Sequence, residues 1–511
     1  MNKSHVMLRL FNSFEENNIM YLHFKSNTNL SDSFQGKADF DVLVDKRRID
    51  TIENIIISLH GKRHNPVHIG SYPGVDNWLI FDENTGVVFH LHLHYQLVTG
   101  KSLVKDYVIP WDALLFSTRI KDPIYQIFVT DPNLELILLA VRSVVKAKPK
   151  EYVKKILGFY QLNPSMRREW DDLKEKSSNE KIEEYLNILF PNKATSILEC
   201  LSNHSLKSFP YYSLHRTIRK EVRLYRRYSG LEATLRAWIY RLEDLVHKIW
   251  SRKMGGISIT KKVSLQGGLI IAFVGVDGAG KSTVSNEICK WIGKKIECKR
   301  FYMGIGDGKT TLLSSLLKLI YGKIHPNKKQ ILDSDRKKNN MPSDNISSSY
   351  IEKRSFFSYV KSYMKLLQIM SVEKNNLKKI KHMHRYRLNG GISVLDRFPQ
   401  VEIAGQNDGP KVPNLIKSFG NGKFIKRRIS KEMEYLGIVR TIKPDLVFRL
   451  KISPETCLSR KPEHINYAVH QRKIEELNKL NYQGANIIEI DAEQPFEDEL
   501  LEIKRILWKY V

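Results

Sequence analysis

Residues 269–291 read Leu269-Ile-Ile-Ala-Phe-Val-Gly275-Val-Asp277-Gly278-Ala279-Gly280-Lys281-Ser282-Thr283-Val-Ser-Asn-Glu-Ile-Cys-Lys-Trp291. An apolar run of strand length enters a glycine-rich turn. The turn opens into a segment whose apolar residues Val284, Ile288, Trp291 and Ile292 fall at helical spacing. Strand, glycines, Lys-Ser and helix in that order predict a phosphate-binding loop. Gly275, Gly278 and Gly280 let the backbone bend until the N–H groups from Asp277 through Thr283 point at phosphate oxygens. The helix that follows offers the positive end of its dipole to the same oxygens. In such a loop Lys281 reaches the β- and γ-phosphates of a triphosphate, and the Ser282 hydroxyl ligates Mg²⁺.

Downstream, residues 297–303 read as a second strand running into Gly304-Ile-Gly306-Asp-Gly308-Lys309, a turn where phosphate could approach backbone. Residues 310–385 are helical and polar, and the Asn/Ser-rich stretch 337–349 suggests an insertion or mobile flap. Asn389-Gly-Gly391 then turns into Ile392-Ser-Val-Leu-Asp396-Arg397-Phe398. Asp396 falls at the carboxyl end of an apolar strand, where open α/β sheets bind ligands. There it can hold Mg²⁺ or accept a proton from an incoming nucleophile. Arg397 can bind an acceptor phosphate bidentately. Residues 446–450 form a strand, Ser453 suits a helix N-cap and Pro454 the first turn. Arg460-Lys461 and Arg472-Lys473 lie on the helices beyond and are candidates for a lid, the arginines neutralising charge on a transferring phosphoryl group. A basic helical hairpin on the surface is the plainer reading of both.

Taken in order, Phe273 to Thr283, Leu395-Asp-Arg-Phe398, Pro444 to Leu450 with Ser453-Pro-Glu455, and Ile488-Glu-Ile-Asp-Ala492 resemble thymidylate kinase and the wider nucleoside-monophosphate kinase group. The resemblance implies a parallel five-stranded sheet, ATP as donor, Mg²⁺ and a mobile basic lid. Two departures stand out. Thymidylate kinases carry an Arg-Glu-Pro-Gly-like acceptor motif after the second strand, where this chain has Gly304-Ile-Gly-Asp-Gly-Lys309. Their base-reading Ser and Tyr-Gln residues are replaced by Pro399-Gln-Val-Glu402 and Asn407-Asp408-Gly-Pro410-Lys411. ATP binding and phosphoryl transfer carry over better than thymidylate as acceptor.

Near the other end, residues 6–17 read as an amphipathic helix and residues 20–24 as a strand. Asp39 and Asp41 then sit two apart on a strand, on one face. Two carboxylates so placed make a hard-oxygen site suited to Mg²⁺. This segment resembles the nucleotidyltransferase superfamily, whose strand motif is Asp-x-Asp after a Gly-Ser turn. The turn here is Lys25-Ser26, without the glycine. The strand expected to bring a third acid carries His90, His92 and His94 instead. Three readings stay open: a divergent transferase, a fold keeping phosphate or nucleotide binding without catalysis, and an ordinary α/β domain.

Between these segments, residues 134–146, 151–162, 181–189, 194–201 and 214–250 read as helices, broken at Pro149, Pro164, Pro191 and Pro210. The expected organisation is therefore α/β: a nucleotidyltransferase-like domain over residues 1–120, a helical connector over 121–255, and a P-loop kinase domain over 266–511.

Lys and Arg number 83 against 55 acids, a formal charge of +28. That excess favours anionic partners. Its clusters, as at 216–227, read first as solvated helix faces. No zinc finger or RNA-recognition signature supports nucleic-acid binding. The four cysteines lack C-x-x-C spacing, which points to reduced thiols and a cytoplasmic setting. No apolar stretch reaches the ~18 residues of a membrane span. Expected partners are a nucleotide and a small anionic acceptor. A homodimer is left open. So are a sugar or glycan acceptor and a nucleotide-sensing regulator that binds nucleic acid.

Overall fold

The computed structural model describes residues 5–64, 72–147, 163–202, 209–254, 262–264, 267–304, 356–404, 408–411, 423–460 and 467–511. It divides into two compact units: Met1–Ile249 with Ser258–Leu265, and Trp250–Ile257 with Gln266–Val511.

The first unit contains strands β1 (Tyr21–His23), β2 (Phe40–Val44), β3 (Lys62–Arg63), β4 (Val75–Phe81), β5 (Val88–His94), β6 (Leu97–Thr99), β7 (Tyr107–Ile109), β8 (Ile120–Lys121) and β9 (Phe128–Val129). Seven of them form a mixed sheet in the order β3-β4-β5-β2-β1-β9-β8, and β6 pairs with β7. Strand alternation divides the sheet's side chains between two cores. Phe40, Val42, Val44, Leu91 and Leu93 join helices α1 (Val6–Glu16) and α2 (Ile49–Ser58) through Met7, Phe11, Phe14, Ile52 and Ile56. Leu22 and Leu43 point the other way, into a core completed by α3 (Pro132–Val145), α4 (Pro164–Glu175), α5 (Asn179–Leu189), α6 (Ala194–Ser202) and α7 (Phe209–Glu221). The helices after residue 121 thus cover a face of the same sheet, and the boundary expected near residue 120 runs through one shared core.

The helix expected over 214–250 is interrupted. α7 ends at Glu221, and α8 spans Gly230–Met254. Between them Arg226 forms a β-bridge with Tyr107, and the Arg227 N–H donates to the Asp106 carbonyl at 2.9 Å. Strand pairing to β7 outcompetes helix propensity there, and Gly230 starts the next helix. Of the other expected elements, the helix over 151–162, the glycine turn from 305 to 309 and the flap over 337–349 lie outside the described residues.

In the second unit, β10 (Ile270–Val274), β11 (Cys298–Tyr302), β12 (Ile392–Asp396), β13 (Leu446–Lys451) and β14 (Asn486–Asp491) form a five-stranded sheet in the order β11-β12-β10-β13-β14, every pairing parallel. β10 is central and buried along its whole length, as its continuous apolar run requires. Around the sheet lie α9 (Lys281–Gly293), α10 (Phe356–Leu388), α11 (Lys423–Thr441), α12 (Pro454–Arg460), α13 (Tyr467–Lys479) and α14 (Phe496–Trp508). α9 buries Val284, Ile288 and Ile292, the stripe its spacing implied. Asp445 fastens the strand entrance by accepting the Ile270 N–H at 2.8 Å and a bond from Arg387.

Candidate functional site

β10 delivers the chain into the glycine loop, and the loop ends where α9 begins. Gly278 (φ +99°) and Gly280 (φ +85°) take left-handed backbone, and Gly280 is the α9 N-cap. A side chain at either would be strained by about 1–2 kcal/mol on backbone grounds alone. Lys281 is buried and curls back over the loop, its Nζ donating to the Val276 carbonyl at 2.7 Å. Burial, and then the Arg397 charge, push its ammonium down to about 8. Ser282 and Thr283 stand exposed on the first turn of α9.

Parallel register places Asp396 beside Phe273, two residues before Gly275. Neighbouring strands lie about 5 Å apart, so loop and carboxylate share one sheet edge. Asp396 is wholly buried. Its Oδ2 accepts from Arg300 Nη2 at 2.6 Å, while Arg300 Nε donates to Ser285 Oγ on α9 at 2.9 Å. Its Oδ1 is buried without a hydrogen-bond partner. An orphaned carboxylate oxygen is a hard donor of the kind Mg²⁺ takes, and the exposed Ser282 hydroxyl on the helix after the loop would offer another.

A cleft of about 390 Å³ opens beside the loop, lined by Gly275, Asp277, Lys281, Arg397, Asp408, Lys411, Lys473 and Tyr482 among others. Arg397 has left-handed backbone at φ +72°, an uncommon position for a long side chain. It is held by Asp277 at 2.7 Å and Asp408 at 3.5 Å. Burial would raise the Asp277 carboxyl, but the Arg397 and Lys281 charges outweigh it and hold the group below its usual range. His470 on α13 also grips the loop, with Nε2 2.9 Å from the Asp277 carbonyl.

No family model matches the chain. It is 29% identical over 237 residues to the uncharacterized ATP-binding protein YghR of Escherichia coli (strain K12), covering 46% of this chain and 85% of that one. It is 28% identical over 234 residues to the uncharacterized ATP-binding protein YghS of the same strain, covering 46% of this chain and 89% of that one. Among solved structures it is similar to deoxyadenosine kinase from M. mycoides with bound dATP. There the identity is 16%, the coverage 47% of this chain and 98% of that one, and the TM-score 0.27. At that score the likeness carries no argument.

The two lid arginines have other partners in this structure. Arg460 Nη2 donates to the Ala492 carbonyl at 2.9 Å, tying α12 to the end of β14. Arg472 is exposed and pairs with Glu476 one turn along α13, at 3.1 Å. Its neighbour Lys473 lines the cleft instead. Successive helix positions differ by about 100° in direction, so of the pair Arg472-Lys473 only one side chain turns toward the cleft. Sequence reasoning missed Arg300 and His470. Arg300 could have been found as a basic residue in the strand next to the one bearing Asp396. His470 carried no local signal.

In the first unit, Asp39 and Asp41 come together with the three histidines. β2 runs parallel to β5 with Asp41 opposite His92. His90, His92 and His94 share the face opposite Leu91 and Leu93. Burial pushes His90 down to about 3 and His94 to about 4. Burial would raise Asp41, but the Lys25 ammonium at 2.8 Å holds it well below its usual range. The imidazole-rich surroundings of Asp39 and Asp41 differ from the all-oxygen site expected for Mg²⁺. Lys25 also lines a cavity with Lys105, Arg142 and Lys146, and burial pushes Lys105 down to about 8. The turn after β1 leads there: Ser26 takes φ +59° without the glycine, and buried Glu135 accepts from Asn27 N at 3.0 Å and Nδ2 at 2.7 Å.

Proposed function

We propose that the second unit is an ATP- and Mg²⁺-dependent phosphotransferase, moving the ATP γ-phosphate onto a small anionic acceptor. One observation carries the reading: a glycine loop with a buried lysine lies beside a strand-end aspartate whose Oδ1 has no hydrogen-bond partner. The E. coli relatives bear the name ATP-binding protein, which agrees with it.

In this mechanism the backbone N–H groups from Gly275 to Thr283 and the Lys281 ammonium cradle the triphosphate. Ser282 and Asp396 would hold Mg²⁺, which supplies neutralising charge at the β- and γ-phosphates. Arg300 orients Asp396, so that Oδ1 can take the ion or the proton of the attacking group. Arg397, Lys411 and Lys473 line the cleft with positive charge suited to an anionic acceptor. Arg460 and Arg472 would reach the phosphates only by moving from their present partners. By resemblance the acceptor is a nucleoside monophosphate such as dTMP; a sugar or glycan is the alternative.

ADP release measured against nucleoside monophosphates and phosphosugars tests both acceptors. The expected outcome is turnover with one class, lost by at least ~100-fold in Lys281→Ala while the variant keeps its far-UV spectrum. Normal turnover by that variant sinks the reading.

For the first unit we propose binding of a phosphate-bearing anion, supported by the convergence of the basic residues Lys25, Lys105, Arg142 and Lys146 on one small pocket of about 10 Å³, which must open to admit it. For the assembly we propose a homodimer through α8. Leu231, Leu235, Trp238, Leu242, Leu245 and Ile249 recur there at alternating four- and three-residue spacing, each more than half exposed. That heptad pattern suits a second helix of the same kind. Leu242→Asp should convert a dimer to a monomer by light scattering; a monomeric parent chain would refute this.

A further inference from the structure

The histidine face of β5 offers more than a strand surface. Asp41 Oδ1 stands 3.1 Å from His92 Nδ1 and 3.4 Å from His94 Nε2, and Asp39 Oδ1 stands 2.9 Å from His90 Nδ1. The sets Asp41, His92, His94 and Asp39, His90, His92 each offer ligand atoms lying within 4.8 Å of one another. Donors bound to one ion at about 2.0–2.2 Å stand about 3.0–3.5 Å apart at octahedral to tetrahedral angles. The observed spacings fall in or near that range.

Hydrogen bonds have similar lengths, so spacing alone decides nothing. His94 supplies the second observation. Its side chain is 5% exposed, its Nδ1 has no hydrogen-bond partner, and its Nε2 has only the 3.4 Å approach to Asp41 Oδ1. A buried imidazole with one nitrogen unpartnered and the other held only by a long contact is rare unless something bonds to it. The Lys25 ammonium, 2.8 Å from Asp41 Oδ1, shows that the site demands positive charge.

We propose that Asp41, His92 and His94 hold a divalent transition-metal ion of the zinc, manganese, cobalt or ferrous class, with Asp39 and His90 beside it. Two imidazoles and one carboxylate suit first-row transition metals, whereas Mg²⁺ prefers an all-oxygen shell. Lys25 competes with the ion for Asp41, so the metal and the lysine charge exclude one another there. The site belongs to the first unit and does not depend on the nucleotide reading of the second.

The test uses the full chain, stripped with a chelator, in the absence of nucleotide. Co²⁺ is titrated by its visible absorption and Zn²⁺ by calorimetry, each with and without excess Mg²⁺. The expected result is one Co²⁺ per chain, undisturbed by Mg²⁺, with affinity lowered at least ~10-fold in His92→Ala and raised in Lys25→Met. His92 is partly exposed, so its removal should leave the fold intact by far-UV dichroism. Should that variant unfold, His92→Gln is measured in its place. No stoichiometric uptake by the parent chain overturns the proposal. So does equal Co²⁺ affinity in the His92 variant, or displacement by equimolar Mg²⁺.

Discussion

Lys281 heads α9 from a buried position, where its ammonium is pushed down to about 8. Below that value the protonated amine attracts phosphate; above it the attraction fades. Nucleotide affinity should therefore fall as pH rises through about 8, read by calorimetric titration on either side, and a flat profile would contradict the role. The folded value lies below the unfolded 10.5, so burying the charge weakens the fold at neutral pH. That penalty is full below about 8 and fades as pH rises toward 10.5. Lys281→Ala should consequently leave the melting temperature unchanged or raised even as transfer is lost. At this scale the sequence located the glycine turn between strand and helix, because glycine, lysine and serine at those spacings have a local meaning. It could not name Arg300 or His470, whose relevance comes from neighbours 96 and 193 residues away.

The strand–loop–helix from β10 to α9 was legible because it is local: continuous apolar residues, then glycines, then helical spacing. Its coupling to the rest of the sheet was not. Arg449 on β13 shows why. This buried guanidinium donates to the Leu480 carbonyl at 2.6 Å and the Asn478 carbonyl at 3.3 Å, and lies 3.4 Å from Glu489. It pins the end of α13, which carries the cleft residues Lys473 and Leu477, to the sheet. Arg449→Met removes those bonds and leaves two carbonyls to find other donors. The expected loss is about 2–4 kcal/mol, visible as a lowered melting temperature. A substitution that leaves both melting and nucleotide affinity unchanged would show that the contacts are incidental. The interruption between α7 and α8 belongs here too. Residues 222–225 continue as a 3-10 turn, and the chain leaves the helix where Arg226 pairs with Tyr107 and the Arg227 N–H donates to the Asp106 carbonyl.

Each unit has its own buried clusters and its own sheet. Calorimetry of the full chain should then resolve two transitions. Mg·ATP should raise only one, and Co²⁺ or Zn²⁺ only the other, each shift growing with ligand concentration by mass action. A single transition moved by both ligands would count against separate sites. Among the described residues no helix is long and apolar enough to cross a membrane. By itself the sequence determined that residues 269–283 run from a strand through a glycine turn into a helix, that Asp396 ends a strand, and that Asp39 and Asp41 share a face. Those properties follow from nearest-neighbour spacing and backbone periodicity. Only the tertiary structure set Asp396 beside the loop strand, turned Lys473 rather than Arg472 of that basic pair into the cleft, and laid three histidines against two aspartates. Each of those depends on parallel register or helix rotation, which is fixed by packing between distant segments.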